Sequence, residues 1–170
     1  MRITIVTDGL YPWVTGGMQM HSYYLVKYLS ENNTIDVYHI NPEKKLIDLK
    51  FFFPDKVLVK INFIELPFLD NGFLPGHYVR ANFRYSKLVL NEILKRHMPE
   101  LIICKGFTAY QLVQEKSNGV KLPPICVNFH GFEMFQQSFG ILNNFKSLLL
   151  ARYVKKICKL SDYVFSYGGK

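Results

Sequence analysis

The chain has 170 residues, 49% of them hydrophobic and 20% charged, with a formal net charge of +8. That is one domain with room for a sizeable core, and it excludes a disordered tail or a polar linker. No apolar run approaches the ~18 residues of a membrane span, residues 1–10 lack the apolar stretch of a signal peptide, and Cys104, Cys126 and Cys158 are too scattered for a disulfide framework or a zinc site, so the expectation is a reduced, cytoplasmic protein.

Arg2 to Thr7 is short and β-branched and precedes the turn-prone Asp8-Gly9, which predicts a buried first strand. A loop runs through Pro12 to Gly16-Gly17. Met18, His21, Leu25, Tyr28 and Leu29 then recur at helical spacing, and Asn32-Asn33 predicts a left-handed cap that stops this helix. Ile35 to Ile40 reads as a second strand and Val57 to Ile64, alternating at Val57, Val59, Ile61 and Phe63, as a third. After a loop rich in proline and glycine, Tyr78 to Arg96 is a long helix, Leu101 to Cys104 a strand and Thr108 to Ser117 a helix. Ile125 to Phe129 is the next strand, Asn144 to Leu160 a helix, and Tyr163 to Ser166 a last strand. Residues 41–56 give no clear pattern. Apolar strands separated by helices predict an α/β fold, a Rossmann-like three-layer sandwich with a mainly parallel central sheet. Ligands then bind at the carboxyl ends of the strands, where the strand order switches.

Gly16-Gly17 ends the first such loop and opens a helix. Paired glycines allow close backbone approach, and a helix N-terminus offers N–H groups to phosphate; the plainer alternative is a tight turn. The loop has neither the G-x-G-x-x-G dinucleotide fingerprint nor a P-loop lysine. His130-Gly131-Phe132-Glu133 directly follows a strand, so His130 stands at the ligand edge. There it can bind a sugar hydroxyl or carry a proton, with Glu133 as a second acceptor, or it is a solvated loop histidine. Tyr11 and Trp13 suit stacking on a sugar or base, or form a hydrophobic lid. Gln19 faces the cleft or solvent, and His21 lies on the apolar helix face as a hydrogen-bonded packing residue. Cys104 shares the strand edge with His130, which permits a nucleophile pair, although its apolar run Leu101-Ile102-Ile103 suits a buried, inert thiol.

The run Thr7-Asp8-Gly9-Leu10-Tyr11-Pro12 to Gly16-Gly17, with Gln19, His21, Leu25 and Leu29 behind it, resembles the opening of the family 4 retaining glycosyltransferases, in which Glu often stands at the place of Gln19. His130-Gly131-Phe132-Glu133 is similar to the family's second landmark. Ser161-Asp162-Tyr163-Val164-Phe165-Ser166 resembles a strand late in its N-terminal domain. The resemblance implies the N-terminal, acceptor-side half of a GT-B fold, with the C-terminal donor-binding half absent from this chain. It implies that Gly16 and Gly17 reach the donor diphosphate and that His130 is the catalytic-site residue beside the donor sugar. The residues expected to face the acceptor are Tyr11, Trp13, Gln19, Lys105, Phe132 and Glu133, of which Lys105 is not a family hallmark. It further implies a nucleotide-sugar donor and a glycan, lipid-linked or small-molecule acceptor as partners, no metal or other cofactor, and no nucleic acid.

Three functions stay open at this point: the acceptor-side domain of a sugar-transferring enzyme, a non-catalytic module binding a nucleotide, glycan or protein, and a small hydrolase using Cys104 and His130. Residues 144–170 carry Lys146, Arg152, Lys155, Lys156, Lys159 and Lys170 against Asp162 alone, a local +5 beside Phe145, Leu148, Leu149 and Leu150. That helix either touches an anionic membrane surface or packs its leucines on the sheet with its lysines in water.

Overall fold

The computed structural model of the chain describes residues 1–69, 76–131, 133–135 and 141–165. Six strands form one sheet in the order β3-β2-β1-β4-β5-β6: β1 (Arg2–Val6), β2 (Thr34–His39), β3 (Ile61–Glu65), β4 (Leu101–Lys105), β5 (Ile125–Asn128) and β6 (Tyr163–Phe165). Every neighbouring pair runs parallel. The helices are α1 (Gly17–Leu29), α2 (Asp55–Leu58), α3 (His77–Lys95), α4 (Tyr110–Ser117) and α5 (Ile141–Leu160).

Winding direction decides which face each helix covers. From β1 the chain steps outward to β2 and β3, then crosses back and steps the other way through β4, β5 and β6. Crossovers in parallel sheets are right-handed, so reversing the direction moves the helices to the opposite face. The two cores agree. Ile3, Ile5, Ile35, Val37 and Ile103 pack with Val26 of α1 and Val57 of α2. Val6, Tyr38, Ile102, Cys104, Ile125 and Val127 pack with Val89 and Ile93 of α3, Leu112 of α4, and Val154 and Ile157 of α5. Successive strand residues alternate between these clusters, as the pleat requires. Between β1 and β4 the strand order switches, and the carboxyl ends there are the fold's ligand edge.

Two local expectations are corrected. The alternating pattern from Val57 belongs to a helical turn followed by a later strand. Pro54, extended at φ −58° and ψ 144°, opens α2 with Asp55 in its first turn. Phe53 and Val57, one helical turn apart, are buried together, and Val59 faces solvent. Nor does Asn32-Asn33 cap α1 through a left-handed backbone. Ser30 ends the helix in a right-handed conformation, and the Asn33 carboxamide donates to the Leu29 carbonyl at 2.8 Å.

The closing aspartate of the Ser161-Asp162 turn is structural. Asp162 Oδ2 accepts the first amide of β5, from Ile125, and the Lys116 ammonium, both at 2.7 Å. It thereby ties β6 and α4 to the start of β5. On α5, Ala151, Val154 and Ile157 are buried, while Leu148 is 70% and Leu149 36% exposed. The sheet-facing stripe is therefore not the leucine run. Among the described residues, no helix is long and apolar enough to cross a membrane.

Candidate functional site

Lys105 ends β4 and Asn128 ends β5, and the two are register partners. Strand parity turns both side chains to the α1 face, as it does Ile103 and Cys126. His21, one turn into α1, meets them there. The Lys105 ammonium donates to His21 Nδ1 at 2.9 Å and makes a short hydrogen bond to Asn128 Oδ1. Lys105 is 3% exposed, so this is a buried polar cluster. The His130 ring, just past β5, stands edge-on to His21, with centroids 4.9 Å apart and planes at 84°. Asp8, just past β1, accepts a short hydrogen bond from the Tyr78 hydroxyl on α3.

All of these groups except His21 line a cavity of about 410 Å³, within the usual size range of small-molecule sites. Its polar lining is Asp8, Tyr78, Lys105, Asn128 and His130, and Met18, Phe107, Phe129 and Met134 supply apolar walls. Gly106, at φ +57°, turns the chain out of β4 beside the Phe129 ring in a conformation that favours glycine.

Burial sets the protonation states. It pulls the Lys105 ammonium down to about 8, opposed by the Asp8 carboxylate. It pushes His130 down to about 4, helped by the Lys105 and His21 charges, and lowers His21, again helped by Lys105. Burial raises the Asp8 carboxyl, while the Tyr78 hydrogen bond and Lys105 act against that rise. At neutral pH the imidazoles are uncharged and Lys105 is cationic.

A pH dependence follows. Free histidine titrates near 6.5, and His130 in the fold near 4. The unfolded chain therefore binds more protons between those values, and stability falls as pH drops from 6.5 to 4. Urea denaturation at several pH values should show this slope, and His130→Gln should make it shallower. An identical slope in the variant would show that His130 is not held neutral.

The loop glycines Gly9 and Gly17 are chain neighbours of the cavity-lining Asp8 and Met18. Gly17 is the first residue of α1, exposed, and a side chain built there would meet nothing within 4 Å. The first turn of α1 has no side-chain cap and no acid. Gly16, at φ +156°, has no room, because a Cβ would strike the Gln19 carboxamide. Gln19 also packs over Gly9, where a Cβ would lie 2.9 Å from its Cγ. Gln19 is thus half-buried, with its side chain packed against the inside of the loop.

The other expected site residues divide. Lys105 and His130 join the cavity. Trp13, 7% exposed, is packed on His39 with centroids 4.2 Å apart and beside Phe63 at 5.3 Å, so it supports the loop from below. Tyr11 lies edge-on to Tyr23 and Phe52 in the same cluster, outside the cavity wall. Phe132 lies outside the described residues, as does the side chain of Glu133, whose backbone starts a short 3-10 turn ending at Phe135. Cys104 is fully buried in the α3-side core, where burial raises its thiol far above the ordinary range. It is on the face opposite Lys105, so the Cys104–His130 nucleophile pair does not form. Asp8, Tyr78 and Asn128 carry no distinguishing mark in the sequence. Asp8 reads as turn chemistry, Asn128 is one polar residue in an apolar strand, and Tyr78 is 70 residues from its partner. His21, expected as a hydrogen-bonded packing residue, takes its hydrogen bond from Lys105.

No family model matches the sequence, and no curated protein matches it. Solved structures resemble it in fold. Sucrose-phosphate synthase from Thermosynechococcus elongatus matches with a TM-score of 0.62 and 12% identity, over 96% of this chain and 41% of that one. UGT89C1 from Arabidopsis thaliana, complexed with quercetin, matches with 0.57 and 12% identity, over 88% and 40%. A UGT transferase from Siraitia grosvenorii in complex with UDP matches with 0.53 and 15% identity, over 75% and 27%. The chain thus spans well under half the length of each. At these identities the shared property is architecture: this chain has the Rossmann-like α/β fold of one half of a GT-B enzyme.

Proposed function

We propose that this chain is the acceptor-binding N-terminal domain of a retaining glycosyltransferase, moving a sugar from a nucleotide-sugar donor to a glycan, lipid-linked or small-molecule acceptor. The observation that carries the reading is the cavity at the switch point, lined by a neutral His130, a buried Lys105 and Met18, the residue after the open Gly17. The similar structures hold UDP in one case and quercetin in another, which supports a donor and an acceptor for this fold. In this reading a donor-binding domain outside this chain completes the cleft. The uncapped start of α1 approaches the donor diphosphate, whose charge suits free N–H groups. His130 holds sugar hydroxyls beside the carbon that gains oxocarbenium-like charge as the diphosphate leaves. Lys105, Phe132 and Glu133 face the acceptor, and no metal takes part.

Saturation-transfer NMR on the 170-residue chain tests the reading, with simple glycosides and nucleotide sugars as probes. The expected result is a glycoside signal that disappears in His130→Ala, a weak nucleotide-sugar signal, and no turnover. Turnover by this chain alone would overturn the division between two domains. Tight nucleotide binding with no glycoside signal would favour a non-catalytic binding module.

A second surface supports a membrane-bound acceptor. Leu148 and Leu149 are exposed beside Arg152 and Lys155 around an apolar depression of about 560 Å³. Exposed leucines with a basic rim suit an anionic bilayer surface. Co-sedimentation at low salt should show binding to anionic vesicles, little binding to neutral ones, and no binding by Leu148→Ser/Lys155→Glu. Equal sedimentation with both vesicle types would remove the membrane from this reading.

A further inference from the structure

We propose that Lys105 is a positioning residue: it fixes the proton of His21 on Nε2 and so sets the hydrogen-bonding pattern of the His21–His130 pair, of which the His130 ring lines the cavity. This rests on the site and the reading described above. An ammonium only donates. With Lys105 Nζ 2.9 Å from His21 Nδ1, that nitrogen is the acceptor, and a neutral imidazole then carries its hydrogen on Nε2. The same ammonium donates to Asn128 Oδ1, which fixes the amide orientation and leaves the Asn128 NH₂ as donor.

The fold makes this a built arrangement. Lys105 and Asn128 are paired residues of β4 and β5, and His21 comes from α1, so one cation joins three elements at the ligand edge. The charged and titratable groups facing it are few among the described residues: His21 from α1, His130 from the loop after β5, and Asp8 from the loop after β1, itself bonded to Tyr78 of α3. None of these groups except Lys105 is a cation at neutral pH. His130 packs edge-on against the His21 ring, so the orientation of one imidazole constrains the other. Lys105 thus acts through the histidines, by geometry and by repelling a second proton.

Nitrogen-15 NMR of the two imidazoles in the ligand-free 170-residue chain tests this. At pH 7 His21 should show an acceptor-type Nδ1 and a protonated Nε2. Lys105→Met should lose the single tautomer, giving a mixture, and should move the His130 titration upward from about 4. Lys105→Arg, still donor-only, should restore the Nε2–H form. A protonated Nδ1 in the unaltered protein, or an unchanged His21 tautomer in folded Lys105→Met, would overturn the proposal. If Lys105→Met fails to fold, the unaltered chain still decides. Raising pH through about 8 deprotonates Lys105 and gives it a lone pair, so His21 should gain Nδ1–H form there. A tautomer constant from pH 6 to 10 would count against the coupling. No substrate enters these measurements, so they stand or fall apart from sugar transfer.

Discussion

His130→Ala, in an enzyme carrying the proposed donor domain, should lower kcat by about 100-fold or more while KM for either substrate moves far less. His130 follows β5 at the switch-point edge, and its ring lines the cavity. The neutral state matters as much as the position. Held down to about 4, the imidazole stays uncharged at working pH and can both donate to and accept from sugar hydroxyls. It does so without adding a second cation beside Lys105 as positive charge grows on the sugar. Interactions that strengthen as the diphosphate departs appear in kcat, because they contribute little to the bound ground state. Circular dichroism and a melting curve control for folding. A folded variant with near-normal kcat would leave His130 as a cavity-lining residue with no part in transfer.

Gly17→Val should behave differently, raising the donor KM by roughly 10- to 100-fold with kcat at saturation little changed. The structure removes the usual objection that a glycine substitution disrupts the fold. A Cβ at Gly17 meets nothing within 4 Å, and its backbone is the helical start of α1. Surface changes of this kind alter stability by about 0.5 kcal/mol. The added methyls would occupy the space in front of the N–H groups of the first turn, where the diphosphate is proposed to lie. Steady-state kinetics against varied donor reads the effect. An unchanged donor KM in a folded protein would remove the diphosphate from this end of α1.

The sheet was legible because parallel strands buried on both faces are near-continuous apolar or β-branched runs, and Ile3 to Val6, Leu101 to Cys104 and Ile125 to Val127 are such runs. The error at Val57 has the same origin. Alternating β-branched residues carry a strand signal, but Pro54 and the Phe53–Val57 spacing start a helical turn first, and only the packing with α1 settles which wins. His130, Lys105 and Gly17 could be named because each stands next to a recognisable element end. Their partners could not, since those depend on strand register. Lys105 and Asn128 become neighbours only when β4 and β5 align, and Cys104 turns away only because it is one residue earlier in the same pleat. Trp13 reads as either a ligand-stacking ring or a hydrophobic lid for a related reason. An aromatic in a glycine-rich loop reads as exposed, yet here the loop folds its indole onto His39 and Phe63.

The contact of Gln19 with two glycines makes positions 9, 16 and 19 interdependent, in different ways. At Gly9 the obstacle to a methyl group is the Gln19 side chain, with Cγ 2.9 Å away, and the backbone itself raises no objection. Gly9→Ala should therefore destabilise the chain alone, yet be largely compensated by Gln19→Ser, a positive coupling in a double-mutant cycle. At Gly16 the same compensation should fail. The side chain would still have to adopt φ +156°, which L-residues rarely do, so shortening residue 19 relieves the collision and leaves the strain. Attempts to reshape the loop beside this cavity by mutagenesis thus have two separable routes and one fixed point: Gly17 alone, Gly9 together with Gln19, and Gly16 not at all.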